Sequence, residues 1–342
     1  MPLTLEELQE IQADAMADDL EIDFDKMSLW SKEEATEYFE SGGDVVPGEG
    51  PPPPPPAAKL KRDDDAIKKW FPKWKPVDKP KFRMVCFHNA GSSESVYTGK
   101  GMRAKEDNPF VVHCATNGGE LMACELPGRE GRRNEPRSRT LKPYCEALLP
   151  ILGPLLQEDV PYVVVGHSMG TWMSYEFCRL VCEKGFPLPK MLCISGFPSP
   201  SWPEAKRPWS KNAPMADPAF QDEARGWNVN EIVFQPANWK TFAPMMRDDF
   251  ACFDEYVYTP PPAHLKKGEF PFPITARYFK DDKRCKKEHL SSWIDLTSEK
   301  ASFSCTEFEG NHLFFYQVPE RAKYMEDVVA KLPAEFKAVE IS

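Results

Sequence analysis

No two of the ten cysteines in this chain form a C-x-x-C pair. They lie singly at Cys86, Cys114, Cys124, Cys145, Cys178, Cys182, Cys193, Cys252, Cys285 and Cys305, a spacing that argues against a zinc site. Cys86, Cys178 and Cys193 fall in apolar runs, where free buried thiols of a reducing compartment are expected. No stretch approaches the roughly 20 apolar residues of a membrane span. The acidic start of the chain lacks the basic character of a secretory or transit leader, so a cytoplasmic protein is expected. A basic face of the kind that binds nucleic acid is also missing, and no internal repeat occurs.

What is present is unevenly distributed. Of 342 residues, 41% are apolar, enough for a sizeable core, and 35 prolines exceed ordinary usage. The net charge is −10. Residues 1–50 carry 15 acids against two lysines, so the acidity belongs to the head and the remainder is nearly neutral. Two short helices are expected in the head, over Leu5–Ala17 and Ser31–Phe39, the second opened by the capping-box pair Ser31 and Glu34. Leu29, Trp30, Ala35, Tyr38 and Phe39 would give it a docking face. The competing expectation is a disordered acidic tail. Pro51 to Pro56 is an unbroken proline run, which suits a semi-rigid polyproline II spacer. Three segments follow: an acidic head (1–50), a proline-rich spacer and lead-in (51–80) and a folded domain (81–335). Residues 1–56 are where a protein partner would be engaged.

From Lys81 onward, short apolar runs alternate with helical patterns. Strands are expected at Phe82–Phe87, Leu121–Leu126, Tyr162–Val165, Met191–Ile194, Ile274–Phe279 and Ser302–Phe308. Helices are expected at Thr140–Leu156 and Met169–Lys184. That alternation predicts an α/β fold, a mostly parallel central sheet with helices on both faces. Residues 200–270 interrupt it with Pro, Trp and Phe, as an inserted helical lid would.

Gly166-His167-Ser168-Met169-Gly170 is a G-x-S-x-G pentapeptide. It follows an apolar strand and opens an amphipathic helix, the setting of a nucleophile elbow in an α/β-hydrolase fold. Ser168 is then the nucleophile. A serine hydroxyl needs a base to take its proton. Only His264, His289 and His312 follow Ser168. His312 lies directly after the last expected strand and is the expected base. His289 reads as a solvated helix face, and His264 follows three prolines in the lid. Asp282 is the expected acid, with Asp281 beside it as the alternative. The oxyanion of an acyl-transfer intermediate needs backbone N–H donors. They are expected from Met169 and from Ala90, in the small-residue loop His88 to Ser93. Asn89, Phe250 and Phe253 are expected to line the substrate. No metal or cofactor is called for.

Several segments together resemble the type II thioesterases that accompany polyketide synthases and nonribosomal peptide synthetases. Val85 to Ser92 resembles that family's F-x-x-A-G-G loop, with Asn89 where the family usually has histidine. Glu125 to Arg132 resembles its L-P-G-R-x-x-R turn, and Gly166 to Gly170 its elbow. Ser195-Gly196 matches its S-G turn, and Ala243 to Phe250 its P-x-x-R-x-D-F lid signature. Asp282 and Gly310 to Phe314 fall on its last two catalytic segments. The likeness covers roughly residues 80–332. Residues 100–119 form a longer connection than the family's, and 1–79 have no counterpart. The resemblance implies a monomeric hydrolase that frees acyl groups from the phosphopantetheine arm of an acyl carrier protein, or from acyl-CoA. An oxygen-ester hydrolase or acyltransferase of the same fold remains open, as does a non-catalytic binding protein.

Overall fold

The run Tyr162 to Val165 has no polar side to offer water. It starts a strand buried along its whole length, flanked by a parallel neighbour on each side, a position that β-branched residues suit. The computed structural model describes Trp30, residues 34–36, Tyr38, and residues 53–100 and 107–337. Its six strands are β1 (Phe82–Phe87), β2 (Gly119–Ala123), β3 (Tyr162–His167), β4 (Met191–Ser195), β5 (Ile274–Phe279) and β6 (Ser304–Phe308). They form one parallel sheet in the order β2-β1-β3-β4-β5-β6. The order reverses after β2, between β1 and β3, which is the topological switch point where α/β sheets place their sites.

From residue 53 onward, the α-helices among the described residues are α1 (Asp64–Trp70), α2 (Ser95–Thr98), α3 (Pro109–Asn117), α4 (Leu141–Leu156), α5 (Met169–Glu183), α6 (Asp217–Gly226), α7 (Pro236–Asp254), α8 (Lys287–Ser291) and α9 (Val318–Lys331). α4 and α5 pack together, and α5 lies against β3. Elsewhere Phe110 and Cys114 of α3 join Tyr324, Met325 and Val328 of α9 in a core with Met84, Cys86, Val163 and Val165 of the sheet. α5 is buried from Met169 to Cys182, so its polar residues need internal partners. Glu176 accepts from Arg179 Nε at 3.0 Å and from the Tyr256 hydroxyl at 2.6 Å.

The chain divides into two compact units, residues 1–55 with 260–269, and residues 56–259 with 270–342. In the first, Glu34 to Thr36 and Tyr38 are helical, and the rings of Trp30 and Tyr38 pack 5.2 Å apart. The expected helix Leu5–Ala17 lies outside the described residues. In the second, Ile67, Trp70, Phe71 and Trp74 are buried beneath the exposed lysines of the lead-in. Among the described residues no helix is long and apolar enough to cross a membrane.

Several boundaries differ from expectation: β3 runs on to His167 and β4 to Ser195, and the two expected helices are Leu141–Leu156 and Met169–Glu183. β2 begins at Gly119 and stops at Ala123, because it pairs in register with β1 from Phe82↔Gly119 to Cys86↔Ala123. Ser302 closes a 3₁₀ turn and β6 starts at Ser304. The lid holds α6 and α7 in the second unit, while residues 260–269 belong to the first.

Candidate active site

Ser168 follows the last residue of β3 with φ 54° and ψ −127°, a conformation costly for a side-chain-bearing residue. Its surroundings hold it there. Ser168 N–H donates to the Ser195 carbonyl at 2.9 Å, and its own carbonyl accepts from Thr171 N at 2.8 Å. The flanking glycines are steric necessities. A Cβ at Gly170 would lie 2.1 Å from the Phe87 carbonyl oxygen, and one at Gly166 2.5 Å from that of Gly170. β1, β3 and α5 can close on one another only without those atoms.

His312, in the loop after β6, brings Nε2 to 2.8 Å from Ser168 Oγ. Its Nδ1 lies 2.7 Å from Asp282 Oδ2. Asp282 Oδ1 accepts from the backbone N–H groups of Arg284 at 2.8 Å and Cys285 at 3.0 Å. Burial pushes the Asp282 carboxyl up, but His312 and the two amides together outweigh it and hold it below its ordinary range. Ser168 and His312 are only 4% and 2% exposed, so the pair works in a water-poor setting. Asp281 is exposed, and its N–H donates to the Gly310 carbonyl. Of the two aspartates, Asp282 is the one joined to the imidazole.

Met169 is the first residue of α5, where backbone N–H groups have no intrahelical acceptor. Ala90 lies in the loop after β1. Its carbonyl accepts from Asn89 Nδ2 at 3.0 Å, so the Asn89 side chain is engaged within its own loop. His88 is buried, its imidazole lowered to about 3 by burial and by Arg129. Phe250 and Phe253 are buried in an aromatic cluster with Phe197, Trp209 and Trp227. Phe242 is one-third exposed. His289, expected in solvent, is buried with Nδ1 accepting from Lys286 N and its ring against Trp202. α8 is one short turn over β5, and its charged neighbours take the outer side.

Four residues that sequence reasoning passed over complete the site. His167 holds His312 from below: its Nε2 lies 2.8 Å from the His312 carbonyl and its Nδ1 2.9 Å from Ser195 Oγ. Burial, then the neighbouring His312, lowers its imidazole to about 3, so it is neutral, with Nε2–H donating and Nδ1 accepting. Trp227 stands edge-on to the His312 ring at 4.7 Å, and Asn228 Oδ1 accepts from His312 N at 3.3 Å. Asp249 of α7 accepts from Gly91 N at 2.7 Å and pairs through both oxygens with Arg129. Only the matching of Arg129 and Asp249 to separate family motifs hinted at these contacts.

Among the described residues, Asp282, Cys285 and His312 are the one group whose potential metal-ligand atoms lie within 4.8 Å of one another. The His312–Asp282 hydrogen bond occupies two of the three, and burial pushes the Cys285 thiol well up. The trio therefore fits a hydrogen-bonded pair with a packing thiol beside it better than a cation site.

The thioesterase domain family matches residues 82–332. The gramicidin S biosynthesis protein GrsT of Aneurinibacillus migulanus is 30% identical over 256 residues, covering 73% of this chain and 90% of that protein. A probable cadicidin biosynthesis thioesterase of Streptomyces griseus is 27% identical over 74% of this chain and 64% of its own length. Among solved structures, the RedJ thioesterase from the prodiginine biosynthetic pathway in Streptomyces coelicolor shares the fold. It has a TM-score of 0.59 and 24% identity over 78% of this chain and 99% of that one. The α/β-hydrolase sheet, the elbow at Ser168 and these likenesses lead to one assignment: the chain belongs to the thioesterase domain family and is a serine hydrolase of the thioesterase class.

Proposed function

We propose that this enzyme hydrolyses acyl thioesters, carried on the phosphopantetheine arm of an acyl carrier protein or on CoA, through an acyl-enzyme on Ser168. The observation that carries the reading is the unbroken chain Ser168 Oγ, His312 Nε2, His312 Nδ1 and Asp282 Oδ2, with contacts of 2.8 and 2.7 Å. Ser168 Oγ attacks the thioester carbonyl while His312 Nε2 takes its proton. Asp282 keeps the Nδ1–H tautomer and stabilises the imidazolium. The N–H groups of Met169 and Ala90 receive the developing oxyanion. Collapse expels the thiolate, which is protonated by His312. A water deprotonated by the same imidazole then releases the acid and frees the serine.

The biosynthetic settings in the names of the relatives support a carrier-bound substrate. The acidic head and proline run support recruitment of a protein partner through residues 1–56, outside the chemistry. Trimming should stop at Pro56, because Ala57 N donates to the Gly185 carbonyl and Gln157 holds the carbonyls of Ala57 and Ala58. A chain lacking residues 1–56 is expected to turn over small thioesters at the full-length rate, and a large loss would remove recruitment as its sole role.

The deciding experiment is thiol release from a panel of acyl-CoA and acyl-carrier substrates by the parent and by Ser168→Ala. Release that disappears in the variant is expected. Release that persists would remove Ser168 as nucleophile. Acyl transfer to an alcohol or amine in preference to water would replace hydrolysis with an acyltransferase.

A further inference from the structure

The peptide unit joining Ala90 to Gly91 is held at both ends. Asn89 Nδ2 donates to its carbonyl at 3.0 Å. Asp249 Oδ2 accepts from its N–H at 2.7 Å. The first contact is local, whereas the second reaches across from α7 of the lid. Asp249 is completely buried, and its other partner, Arg129, is buried as well. Arg129 is itself fixed, with Nη1 donating to the Pro127 carbonyl at 3.0 Å. The preceding residue of the lid helix, Asp248, accepts from Arg137 Nε at 2.8 Å. Gly91 has φ 72°, and a Cβ there would come within 3.3 Å of Met246 Cγ.

A buried carboxylate with one counter-ion gains little net stability over an apolar pair of the same volume. Its use is more readily found in what it orients. The Ala90 N–H lies in the adjoining Asn89–Ala90 peptide, whose carbonyl is 2.8 Å from His88 Nδ1, so the clamp acts on it through the one Cα that joins the two peptide planes. Ala90 is the donor to which the proposed function assigns half of the oxyanion site, and the present inference rests on that reading. We propose that Asp249 is a positioning residue for the reaction: it clamps the Ala90–Gly91 peptide so that the Ala90 N–H points at the forming oxyanion. Because Asp249 belongs to α7, the clamp ties the loop after β1 to the lid helix.

The test compares wild type, Asp249→Asn and Asp249→Ala on a thioester and on the matching dithioester, in which C=S replaces C=O. Rates are expressed per serine titrated with a fluorophosphonate. A placed N–H donor favours oxygen over sulfur at the developing anion. Asp249→Ala is expected to lower kcat on the thioester about 10- to 100-fold, the scale of losing one oxyanion donor. KM should stay within about threefold and the oxygen-over-sulfur rate ratio should fall about tenfold on the same grounds. Asp249→Asn can still accept from Gly91 and should lie between. A merely structural role would reduce the number of titratable serines and leave the ratio alone. If Asp249→Ala does not fold, Asp249→Asn and Asn89→Ala, which loosens the other end of the peptide, carry the same readout. A wild-type ratio retained per active serine in these variants overturns the clamp. A wild type that hydrolyses through Ser168 with no preference for oxygen overturns instead the assignment of the Met169 and Ala90 N–H groups as oxyanion donors.

Discussion

The indole of Trp227 stands edge-on to the imidazole of His312, ring centroids 4.7 Å apart. Trp227 comes from the lid just after α6 and His312 from the loop after β6, so the lid packs directly against the His312 ring. The same indole touches Phe197, Trp209, Phe250 and Phe253. Trp227→Ala is expected to cost roughly 3–5 kcal/mol of stability, the range for emptying a buried aromatic site. Trp227→Phe should recover most of it. Denaturant melts of the three proteins check the order.

Asp282→Asn preserves shape but lets an amide face Nδ1, which favours the wrong tautomer of His312. A loss in kcat of about 10³- to 10⁴-fold is expected, measured by thiol release. The Asp282 carboxyl is held below its ordinary 3.8 in the folded protein. Its contribution to stability is therefore fully present above that value and lost as pH falls through the lowered one. In acid titrations of unfolding, the gap between parent and Asp282→Asn should narrow below about pH 4.

Glu125 has the opposite sign. It accepts from Glu94 N through Oε2, while Oε1 is buried without a partner. Burial raises its carboxyl from 4.5 to about 7, although Arg129 pulls the other way. The folded state then keeps a proton that the unfolded chain releases. This group's stabilisation is complete below pH 4.5 and disappears as pH rises through about 7. Glu125→Gln, which can still accept from Glu94, should raise the melting temperature at pH 8 and leave it nearly unchanged at pH 4. Thermal melts across that window test it, and an equal shift at both ends would contradict it.

Gly170→Ala sets a methyl group against the Phe87 carbonyl at 2.1 Å, with backbone on both sides of the collision. Loss of soluble, folded protein is expected. Gly131→Ala is the control, since a Cβ there meets nothing within 4 Å. Its yield and melting temperature should match the parent.

Much of this protein is local and could be read along the chain. An apolar run between turn residues becomes a parallel strand because only burial on both faces satisfies it. Glycines two residues either side of Ser168 mark an elbow because no other residue fits that turn. Chain order limits the expected base to a histidine after the serine, and His312 follows the last strand. Tertiary structure decided what depends on distant segments meeting. Of Asp282 and Asp281, it is Asp282 that the β5 loop turns inward to meet His312, where Arg284 and Cys285 supply N–H groups. His289 lay buried because α8 folds back over the sheet, a packing that its charged neighbours conceal. His167, Trp227 and the pairing of Arg129 with Asp249 carry no periodic signal. Each acts across a gap in sequence that only the closed fold removes, and hydrogen bonds and ring contacts of that kind are fixed by three-dimensional proximity rather than by local propensity.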